Sequence, residues 1–456
     1  MVSAMNPAVE LKYASRAVPR YTSYPTAPHF EESVGPEAAA RWLARLDGDR
    51  PVSLYLHVPY CRSICHYCGC HTKAALRDDP VIDYAEGLVA EIDLVAAAIG
   101  AGRRLPVAHI HWGGGTPSLM PPAQLRAVVR RLRSAVAFAP TIEHAIELDP
   151  RTVTPELAAV LAELGVTRAS LGVQDFDATV QEAIGRLQPY ETVAAAVAAL
   201  RDAGIGAINF DLMYGLPHQS AATIERTIAL AEAFDPSRIA LFGYAHVPWF
   251  KKHQRLIDEA SLPGASERLR LEHTARMALE TAGYVAIGLD HFARGDDEMA
   301  VAAREGRLHR NFQGYTTDAC DTLIGFGASS IGRTPEGFLQ NDPDIGRWRR
   351  AIGAGRLATW KGRRLDDDDR LRGEIIERVM CDWRVDLAAV CAAHGVGIAA
   401  IADSFDRLAE AIDDGLCVLD HDRLEVTEAG RPLVRIVAAA FDAHLARAAA
   451  RHSVAV

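Results

Sequence analysis

Cys61, Cys65, Cys68 and Cys70 fall within ten residues, spaced Cys-x3-Cys-x2-Cys-x-Cys. A loop this short can wrap its thiolates around one centre, and thiolates are the usual protein ligands of iron-sulfur clusters. Three of them, Cys61, Cys65 and Cys68, on a four-iron cubane leave one iron open to an exogenous chelator, which is the chemically useful feature. Two alternatives stay open on spacing alone. Zinc is one, although four-ligand zinc motifs usually come as two separated pairs. A ferredoxin-like electron carrier is the other, although carriers are small.

Something must hold that loop in place. From Val52 onward, short β-branched runs alternate with Ala- and Leu-rich stretches, the pattern of βαβ units with parallel strands. Strands are expected at Val52 to Val58, Ala108 to Trp112, Glu143 to Leu148, Arg168 to Val173, Ala207 to Leu212 and Arg238 to Tyr244. Between them a helix is expected from Pro189 to Ala203, burying Val193, Val197 and Leu200 and stopping at Gly204. Six units predict an open, partial (βα)6 barrel, a fold that carries its chemistry at the carboxyl ends of its strands. At those ends stand, in order, the cysteines, Gly113-Gly114-Gly115, Glu147, Gln174, Asp211 and Tyr244-Ala245-His246, so one shared site is expected.

The chain has 456 residues, of which 49% are hydrophobic, enough for one large core and a smaller one. Residues 1 to 30 contain no apolar core of signal-peptide length, and no run reaches a membrane span, so a cytoplasmic location is expected. A formal charge of −10 argues against a general nucleic-acid surface. Cys320, Cys381, Cys391 and Cys417 are scattered and read as buried apolar thiols. Beyond about residue 290 the pattern changes to mixed loops, then helices from Leu371 and a hairpin, Leu416 to Leu419 with Leu424 to Thr427, in the manner of a winged helix. Residues 366 to 456 hold 10 Lys and Arg against 18 Asp and Glu, which disfavours DNA and suits a lid or partner surface. The Asp366 to Asp369 run reads as a solvated linker or helix start. The expected divisions are an N-terminal gating arm and lead-in over residues 1–50, the barrel over 51–290, and a mainly helical domain over 291–456.

The cysteine loop following the first strand of a partial barrel resembles the radical S-adenosylmethionine superfamily. That resemblance implies a [4Fe-4S] cluster on Cys61, Cys65 and Cys68, whose open iron binds the amino and carboxylate groups of S-adenosylmethionine. One electron then yields a 5′-deoxyadenosyl radical. It implies cofactor contacts from Tyr55, Tyr67, Gly114, Gly115, Thr116 and Glu147, with Tyr67 standing where phenylalanine is expected.

Finer marks are similar to one family, the oxygen-independent coproporphyrinogen III oxidases. They are Pro19 to Ala27 (PRYTSYPTA), the extra Cys70, Gly172 to Phe176 (GVQDF), Asp211 to Pro217 (DLMYGLP), Gly288 to Ala293 (GLDHFA) and His309 to Tyr315 (HRNFQGY). The resemblance implies oxidative decarboxylation of two propionates of coproporphyrinogen III to vinyl groups, with an unidentified electron donor and acceptor. It implies a second S-adenosylmethionine position near Gly115, Thr116, Gln174, Arg186, Asp211 and Ala245, and a contact to the first near Ile331. Cys70, Tyr55 and Glu147 are its catalytic candidates. Arg20, His291 and Arg310 are candidate hosts for the propionates. A monomer is expected, with no nucleic-acid or membrane partner. The alternative is a heme-binding chaperone of the same superfamily, but such relatives carry an aromatic residue in place of Cys70 and lack the Arg20 to Ala27 segment.

Overall fold

The β-branched runs form strands wherever they can be buried on both faces, and their sum is one long sheet. The computed structural model describes Val9, Lys12, Tyr13 and residues 16–445; the rest of the expected arm and of the C-terminal domain lies outside the described residues. Six parallel strands make the barrel wall: β1 (Val52–Val58), β2 (Pro106–Gly114), β3 (Ala137–Leu148), β4 (Arg168–Gln174), β5 (Ala207–Tyr214) and β6 (Arg238–Gly243). Helices between them cover the outer face, as βαβ crossovers require. The helix Tyr190–Asp202 begins one residue after Pro189, buries Val193, Val197 and Leu200, and gives way to Gly204 at φ +90.

The sheet does not end there. β7 (Tyr284–Ile287) and β8 (His291–Arg294) pair antiparallel, and β8 adds to β6. The expected division at 290/291 therefore falls between two paired strands. The chain then returns to the other edge, where β9 (Leu323–Phe326) lies parallel to β1 as a seventh parallel strand. Beyond it come β10 (Ile331–Thr334), β11 (Gly337–Asn341) and β12 (Thr359–Arg364), all antiparallel. Residues read as mixed loops thus supply five strands, β8 to β12, of a twelve-stranded sheet ordered β12-β11-β10-β9-β1-β2-β3-β4-β5-β6-β8-β7.

The last module follows its expected outline. The helix Asp367–Asp382 is capped by the Asp366 carboxylate, which accepts from the Asp369 N–H at 2.7 Å. The acidic run is thus a helix start, but it is not all solvated: Asp369 is buried between Arg363 at 3.0 Å and His444 at 2.7 Å. The hairpin pairs Cys417–Asp420 with Arg423–Val426, and Arg384–Asp386 adds a third strand, as in a winged helix. Cys381, Cys391 and Cys417 are buried as expected, whereas Cys320 is half-buried.

The Arg20 to Ala27 segment of the expected gating arm is packed against the C-terminal module. Val18, Tyr21 and Tyr24 are buried; the Tyr21 hydroxyl donates to Asp442 at 3.0 Å, and the Tyr24 oxygen accepts from the Ala443 N–H at 2.9 Å. Glu31 exchanges backbone bonds with Gly362 on β12. Aromatic residues in an extended segment have no helical period to betray their burial, and only the C-terminal module supplies their partners.

Glu91 fastens the added strands to the barrel. It is buried on the helix Asp79–Ile99 and accepts from the Gly327 N–H at 2.6 Å, the Asn341 amide at 2.6 Å and the Trp348 indole at 3.2 Å. Burial pushes its carboxyl from 4.5 up to about 7, against the pull of the three donors. The folded state therefore holds this proton more tightly than the unfolded chain, and the contribution to stability falls as pH rises from about 4.5 to about 7. Glu91→Ala should lower unfolding free energy by about 3 kcal/mol, roughly one for each orphaned donor, and flatten that stretch of the pH profile. Urea unfolding of both proteins between pH 4 and 8 checks both effects.

Candidate active site

Parallel pairing brings the strand ends level. Val58 sits opposite Gly114, Leu148 opposite Leu171, Gly172 opposite Asp211, and Tyr214 opposite Gly243. Above this rim opens a cavity of about 590 Å³. It is lined by Cys61, Cys65, Tyr67, Cys68, Cys70, Gly114, Gly115, Thr116, Glu147, Gln174, Arg186, Asp211, Ala245 and Arg20. Most residues expected from the sequence meet there. Tyr55 and Ile331 do not line it. The Tyr55 hydroxyl pairs with His57 Nδ1 at 3.1 Å beneath the glycine turn, and Ile331 packs beside the Phe30, Phe338 and Leu365 cluster. His291 and Arg310 also stand outside this cavity, with His291 Nδ1 on Asp290 at 2.7 Å.

Two hydroxyls and a guanidinium point at the cysteine sulfurs. Thr72 and Thr116 each approach Cys61 Sγ at 3.4 Å, and Arg186 Nη1 approaches Cys65 Sγ at 3.4 Å. Cys68 and Cys70 share a hydrogen bond that lowers the Cys68 thiol below its usual range and raises that of Cys70. The segment after β6 clasps the loop from outside: Lys251 Nζ donates to the Cys70 carbonyl at 2.8 Å, the His253 ring to that of Cys68 at 2.7 Å, and the Gln254 amide to that of Tyr67 at 2.9 Å. Donors aimed at sulfur stabilise thiolate, so this set suits an anionic iron-sulfur cluster. Among the described residues no three His, Cys, Asp or Glu side chains are arranged to hold a single metal ion.

The glycine turn and Glu147 form one unit. The Gly114 N–H donates to Glu147 Oε2 at 3.0 Å, and His111 Nε2 lies 3.2 Å from Oε1. Gly114 has φ +112, and a Cβ on it would meet the His57 ring at 2.6 Å. On the far side of the rim, Asp211 accepts from the Ser170 hydroxyl at 3.3 Å, and burial together with the nearby Glu147 carboxylate pushes it up to about 7. Arg186 is buried with Nη2 on the Gly172 carbonyl at 2.8 Å and Nη1 on Asp149 at 3.3 Å, while its Nε has no partner. Despite burial, Arg151 and Arg186 hold the Asp149 carboxyl below its usual range. Cationic and anionic groups therefore face each other across a space open to a zwitterionic ligand such as S-adenosylmethionine.

Residues 55–231 match the radical SAM superfamily, and residues 365–433 match the HemN C-terminal domain. A protein of Bradyrhizobium diazoefficiens named oxygen-independent coproporphyrinogen III oxidase is 52% identical over 98% of this chain and 99% of its own. The chain belongs to the oxygen-independent coproporphyrinogen III oxidase family. A Paracoccus denitrificans member is 43% identical, covering 96% of each chain. The solved structure titled "Coproporphyrinogen III oxidase (HemN) from Escherichia coli is a Radical SAM enzyme" superposes with a TM-score of 0.90 at 35% identity, over 97% of this chain and 100% of that one. As radical SAM enzymes, members of this family use a [4Fe-4S] cluster and S-adenosylmethionine.

Sequence reasoning missed the Asp149, Arg151 and Arg186 ion-pair triad as a unit, and it missed the Lys251 to Gln254 clasp. Asp149 follows Glu147 by two residues and was legible as a second strand-end carboxylate; the clasp carries no motif and shows only in three dimensions. The glycine turn is the most sharply constrained part of the rim. Gly114→Ala should cost about 2 kcal/mol or more in stability, because its φ is strained for any side chain and the His57 ring must move. Thermal unfolding of the variant against the parent checks this, and Gly69→Ala, where a Cβ meets nothing within 4 Å, serves as the control.

Proposed function

We propose that this chain oxidatively decarboxylates two propionates of coproporphyrinogen III to vinyl groups, giving protoporphyrinogen IX without oxygen. The observation that carries this reading is that the thiols of Cys61, Cys65 and Cys68, the Glu147 carboxylate and the Arg186 guanidinium open on one cavity at the barrel rim. A reduced cluster held by Cys61, Cys65 and Cys68, with S-adenosylmethionine, would supply the 5′-deoxyadenosyl radical chemistry that hydrogen removal from a propionate β carbon needs, before carbon dioxide leaves and one electron passes to an acceptor.

Every other task falls to the chain's own groups. Cys61, Cys65 and Cys68 hold the cluster, and Thr72, Thr116 and Arg186 stabilise their charge. The Glu147 carboxylate, itself positioned by the Gly114 N–H and His111, accepts a hydrogen bond from the cofactor. Tyr67, Gly115 and Thr116 line the same side. Gln174, Arg186, Asp211 and Ala245 shape the wall toward a second S-adenosylmethionine position. Cys70 keeps its proton and stays beside the substrate end. Arg20 reaches into the cavity from the N-terminal segment, so closure over substrate is a movement of that segment against the C-terminal module, and closure excludes water from the radical step. The reading places a monomer in the cytoplasm, served by a one-electron donor and a separate acceptor. No single helix among the described residues is long and apolar enough to cross a membrane.

The test is anaerobic incubation of the reconstituted enzyme with reductant, S-adenosylmethionine and coproporphyrinogen III, read by product mass; loss of two carbon dioxide units with two vinyl groups formed is expected. An intact substrate mass contradicts the reading. Cys61→Ala, Cys65→Ala and Cys68→Ala should each abolish reconstituted iron and visible absorbance, whereas Cys70→Ser should keep most of both; equal iron loss in Cys70→Ser would remove the ligand assignment. Glu147→Ala should weaken S-adenosylmethionine binding about 10-fold or more in a titration of the cluster spectrum, for loss of one charge-assisted bond. Unchanged affinity would return Glu147 to a structural role.

A further inference from the structure

The segment that clasps the cysteine loop has a second, outward face. Residues 247–257 are anchored by two side chains turned in. Gln254 is fully buried: it accepts from the Val247 N–H at 2.6 Å and donates to the Tyr67 and Ala245 carbonyls at 2.9 and 3.2 Å. Ile257 is buried in a cluster with Val180, Ile184, Leu216 and Tyr244. With these two inward, the tight turn Lys252–Leu256 leaves Lys252, Arg255 and Leu256 exposed. Trp249, Phe250 and Leu256 are 56%, 75% and 66% exposed. Trp249 and Phe250 are the only tryptophan and phenylalanine with exposed side chains among the described residues.

Single exposed apolar side chains are ordinary, but several held on one anchored turn and framed by cations mark a contact surface. Residues 248–257 carry Lys251, Lys252 and Arg255 and no carboxylate, in a chain whose formal charge is −10. The acids that follow are engaged: Asp258 accepts from the Ala260 N–H at 3.0 Å, and Glu259 pairs with His246 at 3.0 Å. Exposed Lys73 adds to the positive charge. Burial lowers the His71 imidazole, against the pull of the Pro343 carbonyl, and Lys251 and Lys73 both lower it further, which sets the two ammonium groups near one ring; Asp344 is the acid beside them.

Position decides what docks there. The His253 bond to the Cys68 carbonyl and the Lys251 bond to that of Cys70 set this face one hydrogen bond from the backbone of a cluster ligand. Phe250 and Lys251 also border the cavity, whereas Trp249, Lys252, Arg255 and Leu256 do not. Cofactor and substrate fill the cavity side during turnover, so an electron has to enter from outside the loop. We infer that residues 249–256 are the docking surface for a small acidic one-electron carrier protein, with Trp249, Phe250 and Leu256 as the apolar centre and Lys251, Lys252 and Arg255 steering its approach. One electron leaves the carrier, which is oxidised, and enters the cluster, which is reduced; no bond forms or breaks and no proton moves. This deepens the functional reading above by giving its donor a chemistry and a place, and it rests on the cluster held by Cys61, Cys65 and Cys68. An aromatic and basic face also suits anionic lipid headgroups, but a lipid surface has no use for a hydrogen-bonded route to a cluster ligand.

The experiment follows cluster reduction in the full-length, cluster-loaded protein by stopped-flow absorbance, with two reductants. One is a reduced plant-type ferredoxin, a small acidic carrier; the other is photoreduced deazaflavin, a small reductant that needs no docking surface. With ferredoxin, the combined variant Lys252→Glu, Arg255→Glu should be reduced about 10-fold or more slowly than the parent, and the parent's own rate should fall as salt rises. Trp249→Ala should also be slow, with its salt dependence kept. Lys252→Arg with Arg255→Lys, which preserves both charges, should match the parent. With deazaflavin all four proteins should be reduced alike, and their affinities for S-adenosylmethionine should agree. A charge-reversed protein that takes electrons from ferredoxin as fast as the parent overturns the proposal. Equal slowing with both reductants places the effect in the cysteine loop itself and overturns it too, as does a parent that sediments with phosphatidylserine vesicles and is not reduced by ferredoxin. No tetrapyrrole is present in these measurements, so a chain that leaves coproporphyrinogen III intact still passes or fails on its docking surface alone.

Discussion

Everything at the site depends on parallel pairing in register. Because β1 to β6 run the same way, every carboxyl end lies on one rim, and the pairs Val58 with Gly114 and Gly172 with Asp211 set the cysteine loop, the glycine turn and the acidic residues at matched heights. A one-residue slip in any of these strands would turn its side chains to the opposite face of the sheet. The clasp from Lys251 to Gln254, the Arg186 contacts and the Thr116 hydroxyl all presuppose that alignment. The sheet beyond β1 and β6 does not contribute to the rim; it braces the wall, with Glu91 as the fastening.

The cavity has two chemically different ends. Thiols, hydroxyls and Glu147 gather at the end of β1 to β3, while beyond β6 Arg20, Arg268, Arg310 and Arg435 line a narrow recess. The N-terminal segment joins the two ends through Arg20 and is itself held by the C-terminal module through Tyr21 and Tyr24.

The barrel was legible because its signal is local. The runs at Val52, Arg168 and Ala207 are β-branched, apolar and bounded by turns, and the structure extends their expected limits by only a few residues, β3 most at its start. β9 to β12 were not legible: strands of four to six residues, interrupted by Gly325, Gly332 and Gly362, take their stability from pairing with β1 and with each other over long chain separations. The site divided the same way. Cysteines and glycines at strand ends carry their spacing on the surface of the sequence. Arg268 and Arg435 do not, since an arginine on a polar helix face reads as solvent-exposed until the fold turns it inward.

The central claim is that the groups on this rim direct a 5′-deoxyadenosyl radical to the β carbon of a propionate. Coproporphyrinogen III deuterated at the propionate β carbons tests it most directly, with 5′-deoxyadenosine isolated after anaerobic turnover and weighed by mass spectrometry. Deuterium carried into 5′-deoxyadenosine in step with vinyl formation is the predicted result. Decarboxylated product accompanied by unlabelled 5′-deoxyadenosine would contradict it.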